Sequence, residues 1–194
     1  MFATRVRRVL TLQAVVVLVW VVSAVAQTAS NSPREHFSAI AVNNSTVGRA
    51  GEGMVDITIN QWTSEADRDR LMTLFREKGE KALLSALQDQ KPVGTISTPG
   101  SIAYDLRYAR QLPTAEGGRR IILATDRPMG FWEAANNPRS ADYPFTLIEL
   151  RVDKDGKGHG KLSVASKLTL NDNTLVIENY ADQPVMLNEV KAQK

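Results

Sequence analysis

The sequence contains no cysteine. That excludes thiol nucleophiles, disulfide staples and cysteine-based metal sites, and leaves the fold to be held by its core. Histidine is scarce as well, with only His36 and His159. Neither sits in a visible serine and aspartate constellation, which argues against a Ser-His-Asp hydrolase and against a histidine-rich metal centre. There is no G-x-S-x-G, no phosphate loop and no dinucleotide fingerprint. No internal repeat or low-complexity tract is evident. Carboxylate chemistry survives these absences, because Asp and Glu pairs are assembled by the fold and not by spacing.

The basic excess is also only apparent. The chain has 24 Lys and Arg against 21 Asp and Glu, with a pI near 9.3. Three of those arginines, Arg5, Arg7 and Arg8, open a leader that has no acidic residue. Val9 to Val22 follows as an apolar run broken only by Thr11 and Gln13, and Ala24-Val25-Ala26 supplies a small-x-small cleavage site. This order predicts a secretory signal peptide over residues 1–26, with periplasmic or secreted localisation in a bacterium. An uncleaved N-terminal anchor is the alternative, since Val9 to Ala26 reaches the short end of a bilayer span. Removing the three leader arginines leaves 21 bases against 21 acids. A neutral mature chain with interspersed charges implies no nucleic-acid partner, and no stable membrane span once the leader is cleaved.

After the leader, residues 27–36 read as a flexible N-terminus and residues 37–194 as one β-rich domain. "FSAIAV" is the first strand candidate, and "MVDITIN" (residues 54–60) alternates strictly, with Val55, Ile57 and Ile59 on one face. The period then changes. Ser64 and Asp67 resemble a capping box, and Leu71, Leu74, Phe75, Leu83, Ala86 and Leu87 follow at helical spacing around Gly79. From Pro92 onward strands recur, separated by turn signals such as "PTAEGG", "NDN" and "ADQP". The stripe Tyr104, Leu106, Tyr108 reads as core, with Arg107 on the opposite face as a possible ligand contact. The expected fold is mainly β: an antiparallel β-barrel or sandwich of about 8–10 strands, with a helical insertion near residues 64–90 that plugs or flanks one end.

The stretch "RVDKDGKGHGKLSV" (residues 151–164) places Asp153, Asp155 and Gly158 at the first, third and sixth positions of a calcium loop. The fifth position is Lys157 and the twelfth is Val164, where oxygen ligands are needed. The hairpin reading accounts for each residue. Asp155-Gly156 suits a type I′ turn, and Gly158 and Gly160 suit a bulge. A bulge would set Leu150 against Leu162 and Ile148 against Val164, with Leu162, Val164, Leu168 and Leu170 on one face. No metal site and no cofactor are expected.

The candidate functional segment is "TDRPMGFWEAANNPRSADYPF" (residues 125–145). It joins two expected strands through a connection long enough to suggest function. Arg127, Phe131, Trp132, Glu133, Asn136, Arg139 and Asp142 combine stacking, bidentate hydrogen bonding and charge, the residue types of ligand sites and interface hot spots. The bland alternative is that the aromatics cap a barrel end while Arg127, Arg139, Asp126 and Asp142 pin the loop through ion pairs.

Together, "VDITINQWTSEADRDRLM", "DLRYAR", "RRIILATDRPMGFWEAANNPRSADYPFTLIELRVDKDGKGHGKL" and "ENYADQPVMLNEV" resemble a family of uncharacterised exported bacterial proteins. The mark is "TDRP-x-GFWEA" followed by "DYPFTLIELR". The resemblance implies an envelope or secreted protein and carries no activity, cofactor or site residue with it.

The expectation is therefore a non-enzymatic exported binding module for a small or lipidic ligand, or for a partner segment, at the barrel mouth. One alternative is an enzyme using Glu133 or Asp142 as acid or base with Arg127 or Arg139 as anion stabiliser. Another is a structural envelope interaction protein. An enclosed apolar cavity would favour carriage, a cleft with a buried carboxylate beside an arginine catalysis, and a filled barrel with an exposed apolar patch a protein partner.

Overall fold

In the computed structural model, residues 34–44, 50–129, 142–171 and 174–193 are described. Alternating sequences become strands: β1 (Glu35–Asn43) and β2 (Gly51–Ile59) pair antiparallel from Glu35↔Ile59 to Asn43↔Gly51. Glu35 and His36, expected in the flexible N-terminus, are thus strand residues. After β2, Ser64 caps the first helix, its hydroxyl oxygen accepting the Asp67 N–H at 3.1 Å, as the capping-box spacing implies. Helix α1 (Glu65–Lys78) ends at Gly79, and α2 (Glu80–Gln88) restarts at once.

Eight further strands follow: β3 (Gly94–Ser97), β4 (Tyr104–Leu106), β5 (Tyr108–Pro113), β6 (Arg119–Ala124), β7 (Phe145–Val152), β8 (Lys157–Asn171), β9 (Thr174–Asn179) and β10 (Val185–Gln193). Every pairing is antiparallel, in the order β4-β3-β2-β1-β10-β8-β7-β6-β5, with β9 on the far half of β8. The mainly β architecture with a helical insertion is as expected, and the sheet curls into a nearly closed barrel. Strands β4 and β5 lie at opposite ends of that order, yet only Arg107 separates them in the chain. Leu106 accepts from Val93 N–H on one side, and the Arg107 N–H donates to Ala124 on the other, both at 2.8 Å. Thr63 and Ala109 exchange two further bonds, of 2.8 and 3.0 Å, beside this seam. Arg119 reaches Glu35 with two bonds, of 3.0 and 2.8 Å, across strands that are not sheet neighbours.

The interior is packed. Phe37, Ile96, Leu106, Ile121, Leu123, Ile148, Leu150 and Leu162 are 0% exposed, so none borders a space that admits water. Trp62 and Tyr104 pack against this cluster from its margin. A second cluster lies on the outer wall, where Leu71, Phe75, Leu83, Ala86 and Leu87 of the helices cover Phe145 and Leu168, with Tyr108, Leu147 and Leu170 beside them. The insertion flanks the wall instead of plugging an end.

Two expected faces are split by the fold. Leu106 points inward but Tyr108 packs under the helices, because the alternation slips at Arg107 where the chain changes neighbours. A bulge between Ser163 and Ser166 likewise leaves Leu162 and Val164 inside and turns Leu168 and Leu170 outward. The 151–164 stretch is a hairpin, but not with a type I′ turn. Only Gly156 has positive φ (75°), and Asp153 faces Lys157 across a three-residue loop closed by Gly156 N–H to Asp153 O at 3.1 Å. This is a type I turn with a glycine bulge, in which only one left-handed residue is needed. Ile148 faces Leu162 and Leu150 faces Gly160, two residues from the expected register, so that the inward and outward faces are kept. A Cβ on Gly158 would lie 1.8 Å from the Arg151 carbonyl, so the strands approach there more closely than any other residue permits.

Candidate functional site

The connection between β6 and β7 is anchored at its roots by buried hydroxyls. Thr125 and Thr146 are both fully buried. Thr125 N–H donates to Thr146 O at 3.0 Å, and Thr146 N–H donates to Thr125 Oγ1 at 3.1 Å. The Thr125 hydroxyl donates to the carbonyl of Arg127. The Thr146 hydroxyl donates to Val164 O at 2.8 Å, where Met129 N–H also arrives at 3.0 Å. That carbonyl is freed by the β8 bulge. Met129, fully buried, then joins the interior cluster. These threonines and Met129 were not singled out in the sequence; a threonine at each end of a long connection is their only local signal.

Beside these roots sits an ion-pair cluster centred on Arg107. Its guanidinium lies 3.2 Å from Asp126 and 3.3 Å from Asp105, and donates to the Gln90 carbonyl at 2.6 Å. Side-chain exposure is 17% for Arg107 and 12% for Asp126, so the pair is nearly out of water. Arg107 therefore ties the seam strand to the loop root and to the end of α2. It is not a solvated arginine, and its charge is matched by two carboxylates held in place.

Of the seven candidate residues, Phe131, Trp132, Glu133, Asn136 and Arg139 lie outside the described residues. Arg127 is exposed, and its guanidinium carbon stands 4.8 Å from the centre of the Tyr104 ring, a cation–π stack at the seam. Asp142 is exposed at the other root. Next to it, the Tyr143 hydroxyl donates to Glu178 at 2.6 Å, and its ring meets Tyr180 edge-on with centroids 5.4 Å apart. The bond to Glu178 holds the Tyr143 phenol above its usual pKa, with desolvation and the Glu178 and Asp142 charges adding to the effect. The loop roots thus touch the seam on one side and β9 on the other. Among the described residues, no group of three or more His, Asp or Glu is placed to hold a metal ion.

Strand β9 is the other unusual surface. All six of its residues are exposed, including Leu175 (46%), Val176 (36%) and Ile177 (49%). It pairs with β8 alone, so its outer edge is open among the described strands. Natural proteins normally blunt such edges with lysine, proline or a covering element. A run of three exposed apolar residues on an edge is instead a template for another strand. A groove of about 480 Å³ also lies on the outside of the helix pair, lined by Arg70, Leu74, Lys78, Ala82 and Asp89 among others. It is open, and its lining mixes charge with short apolar side chains. No helix among the described residues is long and apolar enough to cross a membrane.

No protein-family model, curated protein or solved structure matches this chain.

Proposed function

We propose that the protein is a non-enzymatic binding module of the bacterial periplasm or exterior, and that it takes a partner polypeptide along β9. One observation carries this reading: the described interior side chains are fully buried, while β9 is exposed along its length, presents Leu175, Val176 and Ile177, and has an edge left open among the described strands. Interior side chains that are fully buried leave a lipidic ligand no room among the described residues. The buried carboxylate beside an arginine, Asp126 with Arg107, is arranged as a pin joining three segments, which favours a structural over a catalytic role. The leader over residues 1–26 and the resemblance to exported bacterial proteins support the location.

The test is photocrosslinking in the producing cells, with a benzophenone amino acid in place of Ile177 or, as control, of the exposed Arg151. A discrete protein adduct at 177 that is missing at 151 is expected. Equal labelling at both, or none, overturns the reading. The intact mass of the recovered protein is expected to match residues 27–194, and the mass of the whole chain would overturn the cleaved leader.

A further inference from the structure

We infer that the partner strand is β9 of a second copy of this chain, paired antiparallel about a two-fold axis through Val176. This rests on the binding-module reading and names its occupant.

The hydrogen-bond parity of β9 comes first. Tyr180 N–H donates to Ala165 O at 3.0 Å, which extends the β8–β9 register of Ser166↔Asn179 by one pair. In an antiparallel ladder, alternate residues direct their backbone groups to opposite sides. Tyr180, Glu178, Val176 and Thr174 therefore bond towards β8, and Leu175, Ile177 and Asn179 present theirs outward. The Glu80 carboxylate supplies an independent check. It accepts Leu168 N–H at 2.6 Å, and Leu168 lies opposite Ile177, so it should point away from β9, as it does.

Parity limits the registers available to a two-fold pair. A hydrogen-bonded pair requires outward residues opposite each other, so an axis between two residues is excluded, and the axis must pass through one of them. An axis at Val176 sets Leu175 against Ile177 of the second copy, both outward, and Val176 against itself. An axis at Ile177 sets Leu175 against Asn179 and Val176 against Glu178. Only the first matches apolar with apolar at all three positions, and it places no like charges opposite one another.

The face agrees. Leu175 and Ile177 lie opposite Leu170 and Leu168, on the side of the ribbon that the helices cover. The open apolar surface thus continues an interface already formed within the molecule. The two edges of this ribbon are also treated differently. Where β7 stops, Glu80 seals the β8 edge at Leu168, whereas β9 has no lysine or proline to blunt its own.

The chain has no cysteine, which makes the test clean. Residues opposite each other on the axis are a non-hydrogen-bonded pair with Cα atoms about 4.5 Å apart, within disulfide reach. Val176→Cys should form a disulfide-linked dimer on mild oxidation. Thr174→Cys and Ile177→Cys should not, being offset from their own copies. Sedimentation velocity of the protein recovered undenatured from its cells, from about 1 µM to about 1 mM, should show a monomer giving way to a dimer, since the interface is small. Ile177→Lys should stay monomeric throughout with its unfolding midpoint unchanged. Preferential linkage through Ile177→Cys overturns the register. A wild type that is monomeric at every concentration, with Val176→Cys no more linked than Thr174→Cys, overturns self-pairing. A different protein captured at position 177 would then leave the binding module standing, and no capture would remove both.

Discussion

The carboxylate of Glu80, at the first position of α2, accepts the backbone N–H of Leu168 on β8 at 2.6 Å. A helix side chain here occupies the place a neighbouring strand would take, on the stretch of β8 that β7 no longer reaches. Glu80→Ala should destabilise the fold by about 1–3 kcal/mol, the loss expected when a partly buried donor is orphaned. Glu80→Gln, which keeps an acceptor oxygen, should lose less. Urea unfolding of the three proteins checks the order.

Thr125→Val keeps the shape of a fully buried side chain and removes its hydroxyl. The Thr146 N–H and the Arg127 carbonyl both lose a partner. A loss of about 2–3 kcal/mol is expected in denaturant unfolding. A loss below about 0.5 kcal/mol would mean that the hydroxyl does not hold the roots together.

Arg107→Gln should cost about 3 kcal/mol, because it strands the nearly buried Asp126 carboxylate as well as removing the bond to Gln90. The same change made in an Asp126→Asn background should cost distinctly less, since no charge is then stranded. Equal losses in the two backgrounds would dissolve the pin.

Glu149 sits on the outer wall between Arg151 and Arg120, at 2.7 and 3.1 Å. Burial raises its pKa, but the hydrogen bonds and charges of the two arginines outweigh burial and leave it lowered. The folded state therefore holds the Glu149 proton more weakly than the unfolded chain. Its contribution is present above the ordinary carboxylate pKa and is lost as pH falls through the lowered one. Melting temperatures of the wild type and Glu149→Gln should differ at neutral pH and converge in acid, below about pH 4. A gap that is constant with pH would contradict the shift.

What was legible in the sequence was local. Ser64 with Asp67 marked a helix start that the structure forms, and the alternation of Val55, Ile57 and Ile59 marked a strand with those three inside. Glycine and aspartate marked the hairpin after β7. What escaped depends on partners distant in the chain. Nothing within "GKLSVASKLTL" says that a bulge turns Leu168 away from Leu162, because the bulge answers to β7 ending and the helices arriving. The slip between Leu106 and Tyr108 arises because the seam segment serves two strands at once. In the candidate site the long connection was visible, but its buried threonine roots were not. The exposure of Leu175, Val176 and Ile177 was equally hidden, since an apolar run reads as core until its neighbours are known.

Strand β10 joins the two halves of the sheet, pairing with β1 through His36↔Gln193 and with β8 through Val185↔Leu162. A chain made from its N-terminus acquires this strand after every other described strand. Until residues 185–193 emerge, the earlier strands lack the piece between β1 and β8, and the barrel has no complete circumference. The order of the strands alone thus makes native closure wait on residues 185–193, the piece that both halves of the sheet share.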